Sequence, residues 1–123
     1  MSQQFLTRVL RDKLISNGIK QRKMRDSSEG EKDIDFEPVV KFFNPIGAAT
    51  WLITEIDPDN QDIMFGLCDL GFQCPELGDV SIKEMSEMSL PMGMKIERDY
   101  HWRAKKTLSA YTDEASAAGH ISA

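Results

Sequence analysis

Residues 65–78 run Phe-Gly-Leu-Cys-Asp-Leu-Gly-Phe-Gln-Cys-Pro-Glu-Leu-Gly, so three glycines, a proline, two cysteines and two carboxylates interrupt an otherwise apolar segment. This stretch is too irregular for a plain strand and too apolar for a disordered linker. Its backbone is expected to fold into a specific turn-rich structure, with one or more of Gly66, Gly71 and Gly78 at positive φ. No known catalytic signature has this spacing. The segment is the leading candidate for a functional site.

A chain of 123 residues, 41% hydrophobic and 28% charged, supplies one ordinary globular core and has no room for a second domain. No run approaches the roughly 20 apolar residues of a membrane helix, and Met1-Ser2-Gln3-Gln4-Phe5 lacks the order of a signal peptide. A soluble, cytoplasmic protein without a membrane partner is expected. Cys68 and Cys74 are read as thiols, because two cysteines without an export signal stay reduced more often than not. The net charge of −5 disfavours nucleic acid as a partner. That charge is uneven: residues 1–34 sum to +3, residues 35–99 to −9 and residues 100–123 to +1. An acidic middle can repel DNA, attract a basic protein partner, hold a divalent cation or simply keep the domain soluble, the last being the commonest case.

Phe5, Leu6, Val9, Leu10 and Leu14 recur at helical spacing, with Thr7 as N-cap and Asn17-Gly18 as the expected stop. The charged stretch 20–33 has almost no apolar residues and is expected to be a mobile loop. Strands are predicted over 36–43, 49–56 and 62–67, with the turn Asp57-Pro58-Asp59-Asn60 before the third. Ser81 is placed to cap a short helix over 83–88, residues 94–102 alternate like a strand, and 108–118 suit a short terminal helix followed by a frayed end at 119–123. The sum is a single α+β domain around a mainly antiparallel sheet.

Pro38-Val39-Val40-Lys41-Phe42-Phe43, Ala49-Thr50-Trp51-Leu52-Ile53-Thr54-Glu55, Asp57-Pro58, Phe65-Gly66-Leu67-Cys68-Asp69-Leu70-Gly71, Pro75-Glu76-Leu77-Gly78 and Glu97-Arg98-Asp99 occur in this order along most of the chain. The pattern resembles the bacterial family known as domain of unknown function 2958. The resemblance implies an accessory product of plasmids, integrative elements or phages, and it brings no activity and no site residue with it. Gln73 and Asp79 depart from the family pattern, as does the basic-then-acidic insert at 20–33.

Three chemistries were weighed on the residues themselves. Cys68, Asp69, Cys74, Glu76 and His101 include zinc-type ligands, but Cys-x5-Cys is a poor spacing and no second cysteine pair exists, so neither metal nor cofactor is expected. A metal-dependent nuclease would draw on Asp69, Glu76, Glu97 and Asp99, yet the Asp-then-Glu-x-Lys order of common nucleases is absent. Cys68 with His101 is too little for a nucleophile and base. Tyr100, His101, Trp102, Arg103, Lys105 and Lys106 mix rings with cations as single-strand binders do, but Tyr100 and Trp102 are read as core, like Trp51.

The expectation is therefore a macromolecule-binding accessory protein of a mobile element or phage. Its binding residues are taken as Gly66, Cys68, Asp69, Gly71, Cys74, Glu76, Gly78 and Arg98. A DNA-processing nuclease is the alternative, and an acidic anti-defence inhibitor that imitates DNA is a further one.

Overall fold

Thr7 begins the first helix, its Oγ1 accepting a hydrogen bond from Leu10 N at 3.2 Å. The computed structural model describes residues 5–27 and 33–123. Along the chain stand α1 (Arg8–Asp26), β1 (Val40–Phe43), β2 (Thr50–Ile56), β3 (Ile63–Asp69), β4 (Glu76–Ser81), α2 (Ile82–Glu87), a single 3-10 turn at Pro91–Gly93, β5 (Glu97–Arg98) and α3 (Leu108–Ala118). The strands form one antiparallel sheet in the order β4-β3-β2-β1-β5. Successive hairpins build four neighbours in turn. The chain then recrosses the whole sheet before adding β5 at the far edge.

Alternation along the strands sorts side chains onto two faces. Val40, Phe42, Trp51, Ile53 and Met64 pack with Leu14 of α1 and Met85 of α2. On the opposite face Leu52 and Leu67 meet Leu108, Tyr111 and Ala115 of α3. The fold is α+β, with α1 and α2 covering one side of the sheet and α3 the other.

Strand β2 outruns its neighbour β1. The last β1 pairing is Val40 with Ile53, after which Val39 N still reaches Ile53 O at 2.8 Å. Beyond that point the edge of Thr54–Ile56 is closed by α1. Asn17 Nδ2 donates to Thr54 O at 2.9 Å, satisfying a carbonyl no strand reaches. Gly18 lies so close to the next turn of strand that a Cβ there would sit 1.9 Å from Ile56 O. One turn on, Gln21 ties the chain leading to β1 onto the helix, donating to Ile34 O at 3.0 Å and accepting from Ile34 N at 2.8 Å.

That arrangement corrects two expectations. Asn17-Gly18 does not stop the helix, because both residues are buried against β2 and tertiary contact overrides their turn preference. Seven residues of the expected mobile loop, 20–26, are helical, and Asp33 is held by Arg25 Nε at 2.9 Å. Residues 28–32 of that loop lie outside the described residues.

Ser81 caps α2, accepting from Glu84 N at 3.1 Å, and α3 occupies the expected 108–118. The strand expected over 94–102 is only Glu97–Arg98. Before it, Met92 and Gly93 turn through positive φ, and after it Trp102 N bonds back to Asp99 O at 3.3 Å. Trp51 is buried as expected and Trp102 packs against Tyr111, but Tyr100 is half exposed under the Arg98 guanidinium and is not core. The tail also differs from a frayed end: Ile121 N donates to the buried carboxylate of Asp69 at 2.9 Å, and Lys41 Nζ reaches a backbone oxygen of Ala123 at 2.6 Å.

Candidate functional site

The stretch 65–78 is a hairpin rather than one long turn. Most of its glycine-rich start is strand β3, its end is the beginning of β4, and only 70–75 connects them. Gly66 pairs with Gly78 and Cys68 with Glu76. A bulge in β2 between Ile53 and Glu55 explains the first glycine: a Cβ on Gly66 would lie 2.0 Å from Leu52 O. In the connection, Gly71 takes φ +90° and Gln73 takes φ +66°. Gly71 alone of the three glycines is at positive φ.

Asp69 pins the base of this connection. It is 2% exposed, Oδ1 accepts from Gly71 N at 2.9 Å, and Oδ2 accepts from Ile121 N at the distance already given. Both oxygens are thus occupied by backbone donors, which gives the carboxylate a structural duty. Beyond the pin, the apolar side chains turn outward. Leu70 is 56% exposed, Phe72 78% and Leu77 48%. A shallow groove of about 380 Å³ lies beside them, lined by Trp51, Cys68, Cys74, Glu76 and Val80 among others.

The two cysteines are free, Cys74 exposed and Cys68 half-buried. Burial pushes the Cys68 thiol up to about 11, and Asp79 adds to the shift. A group so far above neutral pH is a thiol, not a thiolate nucleophile.

The candidate carboxylates are dispersed. Asp69 pairs with Thr50, Thr50 with Phe43 and Phe43 with Glu97, so Glu97 lies three strands from Asp69. At about 4.8 Å per strand that is roughly 14 Å, far outside a shared cation shell. Glu76 starts a row through Cys68, Trp51 and Phe42 that ends at Arg98. Those four spacings put Glu76 and Arg98 roughly 19 Å apart on the other face of the sheet from Asp69. Asp99 follows β5, 3.8 Å from Lys41 Nζ. Arg98 therefore does not join the hairpin residues in one binding surface; its guanidinium donates to Phe5 O at 2.9 Å. His101 is exposed and lines a separate hollow with Lys105, Lys106 and Tyr111. Among the described residues, no group of three or more His, Cys, Asp or Glu side chains is placed to hold a metal ion.

A second cleft, of about 260 Å³, lies between the latter half of α1 and the ends of β2, β3 and β4. Its floor is Glu55, 7% exposed, whose Oε1 accepts from Thr54 Oγ1 at 3.1 Å. Burial raises the Glu55 carboxyl above its ordinary value, with the Thr54 and Gln21 hydrogen bonds opposing. Sequence reasoning passed over this residue, although a carboxylate inside the apolar run Trp51-Leu52-Ile53-Thr54-Glu55-Ile56 was a signal. The arginines of the rim are engaged: Arg22 lies 2.5 Å from Asp59 and 3.5 Å from Asp57, while Arg25 holds Asp33. The cleft is thus a charged joint satisfied largely from within, whereas the hairpin end presents uncovered apolar surface.

No helix among the described residues is long and apolar enough to cross a membrane. No curated protein and no solved structure matches the chain. The family model described as "Protein of unknown function (DUF2958)" matches residues 5–122, nearly the whole chain, and the protein therefore belongs to that family.

Proposed function

We propose that this domain is a protein-binding module whose docking surface is the end of the β3–β4 hairpin, working as an accessory protein of a mobile element or phage. The genomic setting rests on the resemblance described above. The docking surface rests on one observation: Leu70 and Phe72, on a connection that Asp69 pins at its base, and Leu77, at the start of β4, are all exposed. Exposed apolar side chains on a fixed frame are inexpensive to bury in a partner, because little conformational freedom is lost when they dock.

Charge defines the partner further. Beside Leu70, Phe72 and Leu77 the groove is rimmed by exposed Glu76 and Asp79, and from Asp57 to Ile82 the chain has no lysine or arginine. A partner with apolar anchors and surrounding basic residues complements that surface. A protein whose usual ligand is DNA is one such partner, which makes the DNA-imitating inhibitor a special case of the same reading. The nuclease alternative asks Asp69, Glu76, Glu97 and Asp99 to act together, and their spread across opposite faces and edges of the sheet weighs against it.

Photocrosslinking tests the surface. Phe72 and Val9 are each 78% exposed, so a photoreactive residue at either position is equally accessible. In cells expressing the protein, the label at 72 is expected to trap a discrete protein that the label at 9 does not, with the adduct lost on Leu70→Ser. Equal labelling from both positions, or no adduct from 72, sinks the proposal.

A further inference from the structure

Strand β4 is an edge whose outer backbone groups meet no partner among the described residues, and their direction follows from two hydrogen bonds at the start of β3. Asp57 N donates to Ile63 O at 2.9 Å on the β2 side, and Ile82 N donates to Asp62 O at 2.8 Å on the β4 side. Backbone groups alternate along a strand, so Met64, Gly66 and Cys68 turn theirs toward β4. Their partners are Val80, Gly78 and Glu76. The N–H and C=O groups of Leu77 and Asp79 therefore point away from the sheet.

Natural edges are blunted by proline, lysine, bulges or extreme shortness. The opposite edge follows that rule, since β5 is two residues long and ends in a turn. β4 has six residues, Glu-Leu-Gly-Asp-Val-Ser, with neither proline nor lysine, and it pairs with β3 in continuous register. On the face of β4 at Gly78, no described atom beyond its chain neighbours lies within 4 Å of where a Cβ would be. Flanking this edge are Glu76 and Asp79, and the groove walled by Trp51, Cys68 and Val80 opens beside it.

We propose that the partner segment binds by adding a strand to β4: an extended peptide with lysine or arginine residues, whose backbone pairs with Leu77 and Asp79 and whose apolar side chain enters the groove. This deepens the docking reading and rests on it. Strand addition draws affinity from main-chain hydrogen bonds and specificity from alternate side chains, and both elements are in place here. A second copy of the chain is a poor occupant, because its β4 would bring two more carboxylates and no basic residue to the edge.

Selection of extended peptides from a random displayed library on the immobilised domain tests the proposal. The enriched peptides are expected to alternate apolar residues with lysine or arginine. Leu77→Pro removes an outward N–H without touching a bond to β3 and is tolerated at an edge, so it should weaken these peptides at least about tenfold in Kd beyond whatever is lost with Leu77→Ala, which removes the side chain and keeps the N–H. Circular dichroism of both variants checks that the sheet is retained. An acidic or charge-indifferent set of binders, no binders at all, or binding untouched by Leu77→Pro overturns strand addition. Peptides that need Phe72 yet ignore Leu77→Pro would leave the hairpin end as the docking surface and remove only the added strand. A dimer in sedimentation that Leu77→Pro dissolves would assign the edge to a second copy, against the proposal.

Discussion

Two strand edges in this domain face the same problem and meet it in opposite ways. Where β1 ends, the backbone of β2 at Thr54–Ile56 is left without a strand partner, and α1 seals it with the amide of Asn17 and the bare Cα of Gly18. At the other side of the sheet β4 has the same kind of unpaired groups and, among the described residues, no cover. A fold that invests two buried residues of one helix in closing an internal edge, while leaving a longer outer edge open beside exposed Leu70, Phe72 and Leu77, has its free surface concentrated at one place. The contrast teaches that openness at β4 is a local property, not a general looseness of the sheet.

The comparison breaks most sharply at Gly18. Its α-hydrogen faces Ile56 O, and a methyl group at 1.9 Å from a backbone oxygen forces the helix off the strand. Gly18→Ala should therefore destabilise the domain by about 3 kcal/mol or more, although alanine is the better helix former by about 1 kcal/mol. Chemical denaturation measures this. A variant as stable as the parent would show that α1 does not seal β2 in the way described.

The sealed edge also contains a buried charge, which sharpens the contrast. Burial raises the Glu55 carboxyl in the folded state, so the protonated form is favoured by folding. The sign follows from linkage: the stability tied to this group is fully present below its unfolded value and is lost as pH rises through the raised folded value. Glu55→Gln keeps the shape without the charge. Its amide can donate to Thr54 Oγ1 while the hydroxyl donates to Phe65 O, 3.3 Å away. The variant should melt higher than the parent at neutral pH, and the two should converge in acid. Asp33 and Asp62, both lowered by hydrogen bonds from Arg25 and Ser81 respectively, act in the opposite sense and weaken the whole fold as pH falls, so the difference between variant and parent is the quantity to follow. A gain that persisted unchanged in acid would assign it to something other than the charge.

What was legible beforehand was local. Thr7 and Ser81 announce their helices through a hydroxyl placed ahead of the first turn, and α3 is legible because Leu108, Tyr111 and Ala115 recur on one face. The strand pairs were visible in their alternation and turn residues. The failures were non-local. Asn17-Gly18 carries the chemistry of a helix end, and only the approach of β2, some forty residues later, turns the same two residues into a seal. Gly66, Gly71 and Gly78 look alike along the chain but serve a bulge, a left-handed turn and an open strand. The four candidate carboxylates sit within one acidic stretch of sequence, yet sheet order, which no local signal encodes, sends Glu97 to one edge and Glu76 to the other. Arg98 was separated from the hairpin for the same reason.

The smallest expected effect is the one that distinguishes the three glycines of the hairpin. Gly78 faces Gly66 across the ladder, but the two differ in everything around them: Gly66 is pressed against Leu52 O, and Gly78 meets nothing within 4 Å. Its φ is not positive, so an L side chain fits the backbone without strain. Alanine there lowers the entropy of the unfolded chain and should leave stability within about 0.5 kcal/mol of the parent, on the favourable side, while Gly66→Ala is costly. Paired thermal melts of the two variants read the difference directly. If Gly78→Ala instead unfolded the domain to the same extent as Gly66→Ala, the face of β4 at Gly78 would be covered in solution, and the groove that the proposed peptide's apolar side chain enters would not be open.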